Sequence, residues 1–118
     1  MDTKAIITEF SQSEKIKAGI IWTSQVLGQL SGLSGAEKKG AVEGVKTFIA
    51  LIGREAHLAR KRSGDTRWMN AEKDIDMALV MIESGVPEEA AFHLTRALTQ
   101  VTGRAQRAMK ILMDKGLL

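Results

Sequence analysis

Between Ala90 and Leu112, apolar residues return every three or four positions: Ala90, Ala91, Leu94, Ala97, Leu98, Val101, Ala105, Ala108, Met109 and Leu112. A period near 3.6 gathers them on one side of an α-helix, whereas a strand would send alternate members to opposite faces. A stripe held for about six turns commits this stretch to a helix with one buried side. Such a helix needs others to pack against, and the rest of the sequence supplies them.

Proline, the strongest helix breaker, occurs only at Pro87. There it opens the last helix, where its missing N–H is no loss, and Glu88 and Glu89 complement the helix dipole. Upstream, Ser11-Gln12-Ser13-Glu14 and Ser34-Gly35-Ala36-Glu37 each set a serine three residues before a glutamate, the pattern of a capping box. Gly64 with Asp65 or Thr66 marks a turn and a new helix start, and Gly85 a helix end. The expected helices are residues 12–30, 35–62, 67–84 and 87–115. Ile16, Ile20, Leu27 and Leu30 form the stripe of the first, with Trp22 and Val26 beside it. Ala41, Val45, Phe48, Ile49, Ile52, Ala56 and Ala59 line the inner face of the second. The Ala5, Ile6, Ile7 and Phe10 cluster falls on another face and reads as a short N-terminal arm. Short loops between amphipathic helices predict an all-α chain of one domain, residues 1–118, built as an antiparallel four-helix bundle, up-down-up-down or a close variant.

Composition narrows the function classes. The chain has no cysteine, which excludes disulfides and thiol nucleophiles. Aromatic residues make up 4% and tyrosine is absent, so the core rests on aliphatic side chains. The longest apolar runs fall far short of the roughly 20 residues a membrane helix needs. The first residues, Met1-Asp2-Thr3-Lys4, do not resemble a signal peptide. A cytoplasmic protein that does not enter the membrane is therefore expected.

Catalytic signatures are missing. The two histidines, His57 and His93, lie in no His-Glu-x-x-His or Glu-x-x-His pattern, so no metal or other cofactor is expected. Glu72, Asp76 and Glu83 line one edge of the third helix. Carboxylates in that array can hold magnesium on a nucleotide if a facing helix adds more acids. A solvated edge beside the apolar stripe accounts for them more simply. The serines sit in caps and turns, where backbone hydrogen bonding explains them. The chain reads as non-enzymatic.

Two surfaces remain. Leu51, Leu58, Met77, Met81, Phe92 and Ile111 lie off the main stripes, and one core cannot easily use them all. Self-association, as a dimer, is the simplest way to bury them, so the first reading is a helical interaction module, a self-associating assembly or an adaptor. The alternative is a nucleic-acid or phosphate-binding regulatory protein. In an up-down-up-down bundle Arg60, Lys61, Arg62, Arg67, Arg104 and Arg107 collect at one end, although the net charge is only +3 at pH 7. Finally, Ala36, Gly40 and Gly44 recur every four residues, either because another helix comes close there or as glycines tolerated without a role.

Overall fold

The structure is a computed structural model describing residues 2–118, and among them it contains four α-helices and no strand. Helix α1 spans Thr3–Gly28, α2 Gly35–Ser63, α3 Trp68–Glu83 and α4 Pro87–Asp114, with a single 3-10 turn at Leu30–Gly32. The last three helices match expectation to within a residue or so.

The first does not, and its N-terminal arm does not exist as a separate piece. Helix α1 starts nine residues before the predicted position 12 and ends at Gly28 rather than 30. Asp2 is the cap: its Oδ1 accepts a hydrogen bond from the Ala5 N–H at 2.8 Å. The continuous helix follows from its buried positions, which include Ile6, Glu9, Ser13, Ile16, Ile20, Thr23 and Leu27, spaced alternately by three and four. Three of these are polar, so a stripe traced through apolar residues alone breaks at the point where the helix continues. Ser34 does precede α2 in extended conformation, but its side chain makes no capping hydrogen bond.

Glycines end two helices in the manner expected of left-handed backbone. Gly64 closes α2 at φ 67°, and Gly85 closes α3 at φ 80°. Around Gly85 the Val86 N–H donates to Met81 O and the Gly85 N–H to Ile82 O, the paired bonds of a Schellman end.

Each helix packs on two neighbours: α1 on α2 and α4, α3 on α2 and α4, with no direct α1–α3 or α2–α4 packing among the described residues. The main core joins Ile16, Ile20 and Leu27 of α1 with Val45, Ile49 and Ile52 of α2, Trp68 and Ile75 of α3, and Leu94 and Val101 of α4. Trp68 is fully buried. Truncating one such large side chain costs about 3–5 kcal/mol, a sizeable part of a small protein's stability. Helix α3 has 16 residues against 28 in α4, so α4 extends past it. The first turns of α1 cover the excess, where Ile6 meets Ala108 and Leu112 in a second cluster flanked by Phe10 and Ile111. The result is an elongated molecule of 53 × 23 × 18 Å.

Gly40 and Gly44 meet nothing: a Cβ on either would have no neighbour within 4 Å. The close approaches lie elsewhere, at Gly19, where a Cβ would come 3.3 Å from Ile52, and at Gly53, 3.4 Å from Ile75.

Candidate interaction surface

The outward sides of α1 and α2 form an apolar groove. It encloses about 670 Å³, and its lining includes Ala18, Gly19, Trp22 and Val26 from α1 and Phe48, Leu51 and Leu58 from α2. Trp22 is 72% exposed, Phe48 55% and Leu51 51%. Two aromatic rings and a leucine in water on adjoining helices are unusual, since such side chains are normally the first to be buried. Phe48 was expected on the inner face of α2, but Val45, Ile49, Ile52, Ala56 and Ala59 fill that face without it. Phe48, Leu51, Glu55 and Leu58 recur at three and four residues, a second seam on the same helix turned outward.

Charge in the groove is sparse and nearly balanced. Lys15, Arg54 and Glu55 are the charged residues in its lining. Glu55 Oε1 pairs with Lys15 Nζ at 3.2 Å, and Gln12 Nε2 donates to Glu55 Oε2 at 3.3 Å. Burial at the groove edge pushes the Glu55 carboxyl up. The bonds from Lys15 and Gln12, with the charges of Lys15 and Arg62, outweigh it and hold the carboxyl below its ordinary value. Arg54 forms no ion pair among the described residues.

The six off-stripe residues do not share one surface. Leu51 and Leu58 line the groove. Met81 packs against the main core, and Ile111 against the second cluster, so the chain itself partly buries both. Met77 lines a shallow depression with Arg60, Met69 and Val80. Phe92 is exposed on α4, with the Arg96 guanidinium 5.7 Å from its ring centre. Of the six, Met81 and Ile111 are thus partly covered by the chain itself, while Leu51 and Phe92 stand exposed.

The basic cluster is partly neutralised, with three carboxylates facing four of its six cations. Arg60 Nε donates to Glu72, Arg67 and Arg104 both bond Asp65, at 2.7 and 3.0 Å, and Arg107 lies 3.6 Å from Glu9. Asp65 sits in the turn between α2 and α3. Its side-chain bond from Arg67 is the largest influence on it. Burial opposes that bond, but the Arg67 N–H and the charges of Arg67 and Arg104 add to it, so the carboxyl is held far below the usual aspartate range. Lys61 and Arg62 remain exposed without an ion pair among the described residues.

The acids and histidines are likewise engaged with each other. Glu72 takes Arg60 and lies 3.4 Å from His57 Nδ1. Buried Asp74 accepts from Gln100 Nε2 at 3.2 Å and lies 3.3 Å from His93 Nδ1, tying α3 to α4. Asp76 and Glu83 are exposed. Among the described residues no three His, Asp or Glu side chains are grouped to hold a metal ion. No helix among them is long and apolar enough to cross a membrane.

Sequence reasoning missed the acids Glu9 and Asp74, whose partners come from another helix, and read Asp65 only as a turn residue, not as the partner of Arg67 and Arg104. It also missed Trp22 as an outward residue, although its place beside the first stripe was a signal. No family model, curated protein or solved structure matches the chain.

Proposed function

We propose that this chain is a non-enzymatic helical interaction module that works by self-association through the α1–α2 face. The single observation that carries the reading is the groove in which Trp22, Phe48 and Leu51 stand more than half exposed. Burying apolar surface is worth roughly 25 cal/mol per Å². A contiguous apolar face of this kind is therefore held out of its most favourable environment until something covers it. An outward seam at helical spacing fits another helix better than a small ligand. The near-balanced rim, with Lys15 and Arg54 against Glu55, favours a partner of similar balance, as a second copy is.

The same reading takes the helices as an up-down-up-down antiparallel bundle. Support comes from pairs whose numbers run in opposite senses. Gln12 bonds Glu55 while Gly19 faces Ile52, and Gly53 faces Ile75 while Arg60 bonds Glu72. Arg104 meets Asp65, and His93 lies beside Asp74. Nucleic-acid or phosphate binding by the basic end is the weaker alternative, since Arg60, Arg67, Arg104 and Arg107 already have carboxylate partners.

Trp22 is a built-in reporter for the test. Its emission, isolated as the difference between the parent and Trp22→Phe, is expected to shift to the blue as protein concentration rises. Quenching by acrylamide should fall in parallel. A Trp22 signal that stays solvent-exposed at every concentration overturns self-association through this face.

A further inference from the structure

The outward face of α2 matches itself under a two-fold rotation. Resting on the self-association reading above, we infer that two copies pack α2 against α2 in opposite directions, with the two-fold axis crossing the helix between Arg54 and Glu55. About that point Leu51 and Leu58 are equidistant along the helix, each three and a half residues away. The rotation therefore sets Leu51 of one copy against Leu58 of the other, twice over. It also sets Arg54 against Glu55 of the second copy, again twice.

Three observations converge on this register. Leu51, Arg54, Glu55 and Leu58 all line the same groove, so one contact engages them together. Among the described residues Arg54 is the cation of that groove that has no acid partner, and Glu55, paired on one oxygen with Lys15 and on the other with Gln12, is the one acid in its lining. A carboxylate has about four lone-pair sites, so Glu55 has capacity for a further guanidinium. Finally, a shift of the axis by a few residues sets Glu55 against Leu51 or Leu58 of the other copy, burying a charge against a methyl group. The leucine pairs and the Arg54–Glu55 pairs thus favour one alignment among those that would cover the groove. That alignment also sets Lys61 of one copy beside the Phe48 ring of the other, where a cation can rest on the aromatic face. A two-fold contact is also the commonest way for a chain to pair with itself, and it closes without leaving a free surface for further growth. Trp22 and Val26, on the wall supplied by α1, flank the α2–α2 contact and are covered along with it.

The absence of cysteine makes the register directly measurable. Leu51→Cys and Leu58→Cys are prepared separately, mixed in equal amounts and oxidised gently with oxygen and a copper catalyst. A disulfide needs Cα atoms about 4.4–6.8 Å apart. The mixture is expected to yield a cross-linked dimer containing one chain of each kind. Leu51→Cys alone should cross-link far more slowly, because its two copies sit about 10 Å apart along the helices. Sedimentation of the same samples keeps the two claims separable. Dimers that link Leu51→Cys to itself as readily as to Leu58→Cys overturn the register and leave self-association standing. Monomers throughout overturn both. A further variant avoids dependence on cysteine geometry. Arg54→Glu is expected to raise the dissociation constant about tenfold or more by facing acid with acid. If Arg54→Glu leaves the dissociation constant unchanged, with helicity intact, the Arg54–Glu55 contact is refuted.

Discussion

Asp65 holds two arginines from different parts of the chain, Arg67 beside it and Arg104 on α4, and so ties the α2–α3 turn to the last helix. Folding lowers the pKa of this carboxyl, so its contribution to stability is complete above the ordinary aspartate value of 3.8 and is lost as pH falls towards the folded value. Asp65→Asn is expected to flatten the fall in melting temperature below about pH 4. An acid profile identical to that of the parent would contradict this. Glu9 is a second case. It is buried, neither oxygen has a hydrogen-bond partner among the described residues, and Arg107 at 3.6 Å is its cation. Removing one member of a fully buried pair costs about 3–5 kcal/mol; the figure here is smaller because Arg107 reaches solvent. Arg107→Ala is expected to destabilise more in the parent than in a Glu9→Gln background, a double-mutant cycle read by denaturant unfolding. Equal losses in both backgrounds would mean that the pair is not coupled. The arginines themselves were legible in the sequence. Most of their partners were not, because Glu9 reaches Arg107, Glu72 reaches Arg60 and Asp65 reaches Arg104 between elements distant in sequence; only the Asp65–Arg67 pair is local.

Helix ends were readable wherever the backbone chemistry is local. Gly64, Gly85 and Pro87 mark boundaries by their own conformational limits, and the structure agrees. The start of α1 was not, because the Ser11–Glu14 pattern imitates a cap while Glu9 and Ser13 occupy buried seam positions that an apolar stripe cannot reveal. The glycines of α2 show the same limit. A small-residue repeat in the sequence allows contact, yet Gly40 and Gly44 face open space. Gly40→Ala and Gly44→Ala are therefore each expected to stabilise by about 0.5–1 kcal/mol, the helix propensity gained without a clash. Gly19→Ala, whose new Cβ would lie 3.3 Å from Ile52, should gain less than either. Thermal unfolding of the three variants checks the order, and a Gly19 gain equal to the others would contradict the close packing of α1 on α2.

Across the whole molecule, four amphipathic helices each bury one seam against their neighbours and leave the α1–α2 face open. The all-helical architecture was legible from periodicity alone. The location of the interaction surface was legible only in part. Leu51 and Leu58 stood out as off-stripe residues, whereas Trp22 and Phe48 were read with the helix stripes they adjoin. On α1 and α2 the core is filled by smaller neighbours, and the rings of Trp22 and Phe48 are left outside. Leu51→Glu, a charge set in the middle of the groove, is expected to abolish association while leaving helicity intact, since the side chain is already half in solvent. Sedimentation equilibrium of the parent chain over a wide concentration range decides whether the α1–α2 face pairs with itself. The expected mass rises from 12.9 kDa towards twice that value and goes no further. A mass that stays at 12.9 kDa at every concentration would contradict it.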